Sequence, residues 1–231
     1  MNVKLGVPSK GRLMHQCFDW FAARGIHIAL SGADREYAGR VDGIDNVDLV
    51  MLSAAEIPRE LASGRIHLGV TGLDLVREKV PSEDQRIVSL GAMGFGHADL
   101  VLAVPQAWID VHLLDDLDAV AAAFRRAHGF RLRIATKYHR LVREFLRDHG
   151  VADYQLVDSQ GATEGTVKNE TAEAIADITS SGDTLRANHL RPLEDGLILR
   201  SEATLFRSNL AALDEAGERT LADLLKGLAL V

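Results

Sequence analysis

The stretch E-A-I-A-D-I-T-S-S-G-D-T-L, residues 173–185, decides how the rest of the chain is read. Its first half is apolar with interspersed acids, as a mostly buried strand over 174–178 requires. Hydroxyls, Gly182 and Asp183 then interrupt the run, and the residues from 181 to 188 suit a helix. A strand, a small-residue turn and a helix in succession gather backbone N–H groups around one point, which makes a cradle for an anion. Thr179, Ser180, Ser181 and Thr184 add hydroxyl donors, and Gly182 admits a backbone conformation that other residues rarely adopt. Asp177 stands at the end of the strand. The same residue types also make an ordinary helix N-cap, so the pattern alone leaves both readings open. It is not the nucleotide-binding loop G-x-x-x-x-G-K-[S/T], because the lysine is absent.

The same rhythm recurs outward along the chain. In V-P-S-K-G-R-L, residues 7–13, a strand over 3–7 ends and a helix over 10–24 begins. Cations in the first helical turn oppose the helix dipole. That is easier to understand if Lys10 and Arg12, with Gly11 between them, face an anion; a solvated pair of charges is the alternative. In G-R-I-H-L-G-V-T-G-L-D, residues 64–74, a strand over 65–70 runs into Thr71-Gly72 ahead of a helix over 73–78. R-I-A-T-K-Y at 133–138 ends another strand. G-A-T-E-G at 161–165 is a turn carrying Glu164, placed for sugar hydroxyls or for solvent.

Further strands are expected at 48–52, 86–90, 98–104, 132–135, 154–157 and 196–203. Further helices are expected at 54–63, 113–129, 138–149 and 211–226, the last stopped by Gly227. Alternating strand–helix units imply an α/β fold with a mainly parallel sheet. No Gly/Ser- or Pro-rich linker divides the chain, so two lobes connected by strands are expected, with crossings near 100–105 and 185–200. Lobe I would be 1–104 plus 186–231, and lobe II 105–185. A cleft between such lobes is the default ligand site.

Composition narrows the function classes. The 231 residues are 47% hydrophobic, enough for one large core or two smaller ones. The formal charge of −7 is spread along the chain, with no basic stripe interleaved with aromatics, which argues against nucleic-acid binding. The one cysteine, Cys17, excludes an internal disulfide and reads as a small core residue on a helix. The N-terminus lacks a secretory pattern, and no apolar run approaches the ~20 residues that span a bilayer. A soluble cytoplasmic protein is the expectation. The nine histidines show no metal-cage spacing, and His97, His139 and His189 read as ordinary polar positions. No G-x-S-x-G elbow is present, so no covalent nucleophile is proposed.

Taken together and in order, P-S-K-G-R-L at 8–13, E-I-P-R-E-L-A-S-G-R-I-H-L-G-V-T-G-L-D-L-V at 56–76, R-I-A-T-K-Y at 133–138, G-A-T-E-G at 161–165 and E-A-I-A-D-I-T-S-S-G-D-T-L-R-A-N-H-L at 173–190 resemble the ATP phosphoribosyltransferases. The resemblance covers nearly the whole chain, and the last motif is its most specific part. It implies a two-lobed fold of the type II periplasmic-binding-protein kind. It implies transfer of a phosphoribosyl group from phosphoribosyl pyrophosphate to N1 of ATP, with substrate-bound Mg²⁺. Asp177 and Thr179, Ser180, Ser181, Gly182, Asp183 and Thr184 would bind phosphoribosyl pyrophosphate. Lys10, Gly11, Arg12, Arg35, Thr71 and Gly72 would bind ATP, and Lys10, Arg12 and Glu164 would be catalytic. The length is similar to the family's short form, which implies a histidyl-tRNA-synthetase-like regulatory subunit in a hetero-oligomer with paired catalytic chains. Where many members carry an arginine ahead of D-I-P, this chain reads Ser53-Ala54-Ala55-Glu56-Ile57-Pro58, so one cation expected for the triphosphate is either missing or supplied from elsewhere, with Arg35, Arg40 and Arg59 as the candidates. Two rivals stay open on residues alone: a phosphoribosyltransferase for a free base, and a two-lobed small-ligand sensor.

Overall fold

The computed structural model describes residues 1–30, 38–42, 44–81, 83–159 and 161–229. It divides into two compact units, Met1–Gly96 with Glu202–Val231, and His97–Ser201. Both crossings expected from the sequence therefore shift. Residues 98–105 and 190–201 belong to the second unit, because they pair with each other along its sheet.

The first unit runs β1 (Val3–Pro8), α1 (Gly11–Ala22), β2 (His27–Leu30), β3 (Ala38–Asp42), β4 (Val47–Leu52), α2 (Ile57–Ala62), β5 (Leu68–Gly72), α3 (Leu73–Lys79), α4 (Glu83–Arg86) and β6 (Ile87–Ala92). The second holds β7 (Ala98–Pro105), α5 (Leu114–His128), β8 (Leu132–Thr136), α6 (His139–Asp148), β9 (Tyr154–Asp158), α7 (Gly165–Lys168), β10 (Ala174–Thr179), α8 (Asp183–Ala187) and β11 (Leu190–Ser201). The chain returns to the first unit as β12 (Ala203–Ser208) and α9 (Glu215–Gly227).

The first sheet has the order β2-β3-β4-β1-β5-β12-β6, the second β11-β7-β10-β8-β9. The expectation of a mainly parallel sheet is corrected: both sheets are mixed. Parallel pairing is confined to β4-β1-β5 in one unit and β10-β8-β9 in the other. The antiparallel pair β2–β3 and the returning β12 supply antiparallel strands in the first sheet. The parallel trios matter for function, since their C-terminal ends lie together at one edge of each sheet.

Packing fixes those edges. Val3, Leu5 and Val7 of β1 are fully buried in a core with Cys17 and Phe21 of α1 and Leu221 and Leu224 of α9. Burial pushes the Cys17 thiol far up, so Cys17 is the inert core residue expected. Elsewhere in the same sheet, Gly6 and Gly69 are register partners. A Cβ on Gly6 would stand 2.6 Å from Ile66 Cδ1, and one on Gly69 would stand 2.6 Å from Ile57 Cγ2. The absence of side chains there lets Ile66 and α2 press onto the strands, which sets the position of the turn entering α2. In the second unit, Leu100, Leu102, Leu132, Ile134 and Ile175 are buried on the strands, with Leu117 of α5 and Leu146 of α6. Helix α5 ends at Gly129 in the left-handed conformation, as its sequence predicts. Gly227, the expected stop of the last helix, lies inside α9, and the left-handed residue is Ala229.

Candidate active site

In the second unit, the trio β10-β8-β9 presents three loops at its C-terminal edge: 180–182, 137–138 and 159–164. The first is held by its own side chains. Gly182 is left-handed, and its N–H donates to Thr179 Oγ1 at 2.9 Å. Ser181 Oγ donates to Asp183 Oδ2 at 2.6 Å, and Arg186 Nη2 donates to the Ser181 carbonyl at 3.1 Å. Arg186 also pairs with Asp183 at 2.5 Å, and Ser180 Oγ donates to the His97 carbonyl at 3.1 Å. Ser181 and then Arg186 hold the Asp183 carboxyl below its usual range. Asp183 thus shapes the loop from within. The amides of Thr184 and Leu185 belong to the first turn of α8, where helical geometry supplies no acceptor. Ser180, Ser181 and Thr184 are exposed.

Asp177 sits one residue pair inside the strand end, with only 13% of its side chain exposed. Its Oδ1 accepts from the Ile178 N–H at 2.9 Å, and Lys137 Nζ lies 3.9 Å from Oδ2. Lys137 follows β8, whose last residue, Thr136, is buried and accepts from the Tyr138 N–H at 2.9 Å. His139 and Asp158 approach at 3.3 Å, tying the start of α6 to the end of β9. Thr163 is fully buried against Ser159, with hydroxyls 2.9 Å apart. Glu164 follows it as the N-cap of α7, half-buried, with no ion-pair or hydrogen-bond partner among the described residues. Lys137, His139 and Asp158 extend the group foreseen from sequence. The T-K pair at a strand end was the available signal, and the His139–Asp158 approach had none.

In the first unit, β4-β1-β5 presents Ser9-Lys10, the turn 53–56 and Gly72. Gly11 has φ 75° and opens α1, which carries no acid in its first turn. Lys10 and Arg12 are both exposed and have no ion-pair partner among the described residues. In the neighbouring turn, Ser53 donates to Glu56 Oε2 from N at 2.9 Å and from Oγ at 2.6 Å. Those two bonds, followed by the charges of Arg59 and Lys10, hold Glu56 below the usual carboxylate range. Thr71 is buried and donates its hydroxyl to the Ala54 carbonyl at 2.7 Å. Its side chain therefore positions the 53–56 turn. Gly72 is the N-cap of α3 with ordinary extended torsions. Arg35 lies outside the described residues, as does the side chain of Arg40; Arg59 is exposed on α2.

With this geometry in hand, comparison with known proteins decides the family. The model of the family described as ATP phosphoribosyltransferase matches residues 53–229. An ATP phosphoribosyltransferase of Cereibacter sphaeroides is 69% identical over 216 residues, which is 94% of this chain and 92% of that protein. The chain belongs to the ATP phosphoribosyltransferase family. It is an enzyme of the pentosyltransferase kind and catalyses the first step of histidine biosynthesis. An ATP phosphoribosyltransferase of Mesorhizobium japonicum is 49% identical over 98% of both chains. One from Rhodopseudomonas palustris is 49% identical over 97% of this chain and 69% of its own length. Among solved structures, the ATP phosphoribosyl transferase (HisG:HisZ) complex from Thermotoga maritima matches with TM-score 0.72 at 20% identity, covering 98% of this chain and 96% of that one. An amino-acid ABC transporter extracellular-binding protein of Bacillus subtilis matches with TM-score 0.51 at 11% identity, over 99% and 91% of the two chains. Both structures share the fold, a two-unit α/β architecture of the periplasmic-binding-protein kind. The sensor reading loses its ground, because the transporter likeness is one of fold and the family match is one of sequence.

Proposed function

We propose that the loop 179–184 of this ATP phosphoribosyltransferase holds the 5′-phosphate of phosphoribosyl pyrophosphate, and that Lys10 and Arg12 neutralise polyphosphate charge. The observation that carries the assignment is the contrast in pairing: Lys10 and Arg12 stand at a strand end with no ion pair among the described residues, beside a helix start without acids. Two cations held in that state are suited to a polyanion. Asp177 and Glu164 take ribose hydroxyls, with Lys137 Nζ 3.9 Å from the Asp177 carboxylate to orient it. Gly11 and Gly72 let ATP phosphates approach the backbone, and Thr71 fixes the turn between them.

In the reaction, the lone pair of adenine N1 forms a bond to C1 of the ribose. The C1–O bond to pyrophosphate breaks, its electron pair leaves with pyrophosphate, and configuration inverts. A transition state of this kind asks the protein to align two substrates and to stabilise the leaving group. No side chain has to form a covalent bond. We assign Mg²⁺ to the substrate, since such an ion is commonly carried by phosphate oxygens. A regulatory subunit like the one named with the Thermotoga maritima protein, and pairing of catalytic chains, complete the proposal. No helix among the described residues is long and apolar enough to cross a membrane, and we place the enzyme in the cytoplasm.

The test is turnover of the purified chain with ATP, phosphoribosyl pyrophosphate and Mg²⁺, followed by ultraviolet absorbance of the N1-substituted product. Free adenine replaces ATP in a second arm, and the regulatory subunit is added in a third. Product from ATP with loss of activity in the Lys10→Ala and Arg12→Ala variants supports the assignment. Normal kinetics in both variants would overturn it.

A further inference from the structure

The second unit carries a cationic cavity at the edge of its sheet opposite the loops described above. Arg131 precedes β8, and Tyr154 opens β9 as the register partner of Leu132. Tyr154 and Asp158 bound one five-residue strand, so the two edges are about 13 Å apart at ~3.3 Å per residue. Arg131, Arg143 of α6, Tyr154 and Gln155 line a cavity of about 380 Å³.

The pairing around this cavity is uneven. Arg125 pairs with Asp153, Arg133 with Glu173, Arg140 with Glu144 and Arg147 with Asp148. Arg131 and Arg143 have no ion-pair partner among the described residues, which include every Asp and Glu of this unit. The one acid lining the cavity, Asp153, is engaged by Arg125, and nearby Asp118 accepts from the Ala152 N–H at 2.7 Å. Burial raises the Tyr154 phenol, while Arg143, Arg131 and Arg147 act in the opposite direction; the phenol is a donor at neutral pH. Two guanidinium groups and a phenol O–H therefore share one opening in a protein of net charge −7.

We propose that Arg131, Arg143 and Tyr154 form a second anion site, selective for a phosphate group and separate from the substrate loops. Phosphate has enough oxygens to occupy two guanidinium forks and the phenol together, whereas the two oxygens of a monocarboxylate are saturated by one fork. The proposal does not depend on the roles assigned to the substrate loops.

The probe is inorganic phosphate, titrated at constant ionic strength against protein labelled with ¹³C at tyrosine Cζ, with the Tyr154 resonance assigned from Tyr154→Phe. Saturable movement of that resonance is expected in the wild type and in Thr184→Ala. At least a tenfold weakening is expected in Arg131→Gln/Arg143→Gln and in Arg143→Gln alone, with the buried Tyr138 resonance reporting an intact fold. Methyl phosphate in place of phosphate distinguishes a phosphomonoester ligand, which it would mimic by binding more tightly, from free phosphate. No saturable movement, equal movement in the arginine variants, or equal saturation by acetate would overturn the site.

Discussion

Gly11 and Gly182 share a φ of 75° at the start of a helix, yet the two turns are wired in opposite ways. The turn at Gly182 is closed on itself: Thr179, Ser181, Asp183 and Arg186 bond to one another or to its backbone. The turn at Gly11 leaves Lys10 and Arg12 without an ion pair among the described residues. The difference follows from what each would hold. A cradle of amides and hydroxyls works by shape, and must be ordered before the ligand arrives. A pair of long cations works by charge and reach, and needs no fixed geometry beforehand.

The strongest way to break this contrast is on the charged side. Lys10→Ala and Arg12→Ala each remove a charge-assisted contact worth about 1.5–3 kcal/mol, roughly 10–100-fold in kcat/KM, and the double variant should lose more. Steady-state kinetics for both substrates measure this; a loss below threefold in all three variants would mean that the pair is merely solvated. Next comes Gly182→Ala, which places a Cβ in the left-handed region at a cost of about 1–2 kcal/mol and 3.0 Å from Arg186 Nη1. Urea unfolding should register that loss together with a raised KM for phosphoribosyl pyrophosphate. Gly11→Ala meets nothing of the protein within 4 Å, so urea unfolding should show the backbone penalty alone, while the KM for ATP rises because the added Cβ stands where the phosphates approach. Thr184→Ala deletes one hydroxyl and should raise the KM for phosphoribosyl pyrophosphate about fivefold, near 1 kcal/mol, with kcat little changed. An unchanged KM would remove Thr184 from the cradle.

The smallest effect lies at the other end of the strand that leads into the Gly11 turn. His67 is buried beside β5, its Nδ1 accepting from the Lys4 N–H at 2.9 Å and its Nε2 lying 3.3 Å from the Ala212 carbonyl. Protonating Nδ1 would set two donors against each other, and burial, the largest cause, lowers the pKa of the ring. The unfolded chain, with a histidine pKa of about 6.5, therefore binds the proton first. The stabilisation is present above that value and is lost as pH falls below it. The urea midpoint should drop between pH 7 and pH 5, and His67→Gln should flatten the drop; parallel curves would refute the role.

Much of this was legible in the sequence, and the failures have physical causes. Strand–turn–helix units announced both turns, since hydroxyl, glycine and cation each have a local reason to stand at a strand end. β12 did not announce itself. Ala203, Thr204, Leu205 and Phe206 are all buried, so the alternation that marks a strand with one wet face is missing. The turn 53–56 read as the start of a helix, but Ser53 and Glu56 bond to each other and delay α2 to Ile57. The resemblance placed Thr71 at the ATP site; the acceptor of its hydroxyl, the Ala54 carbonyl, is seventeen residues away in sequence and visible only in the fold. Arg35, expected at the ATP site, lies outside the described residues.

The position of β12 has a consequence for synthesis on the ribosome. It lies between β5 and β6, and β6 reaches the first sheet only through it. The second unit, 97–201, is complete in sequence before β12 emerges. During translation the later unit can thus close first, while the earlier one waits with the edge of β5 open and β6 unattached. An uncovered strand edge is a template for wrong pairing. The interval between residues 92 and 203 is therefore the stretch of elongation in which the nascent chain most needs protection.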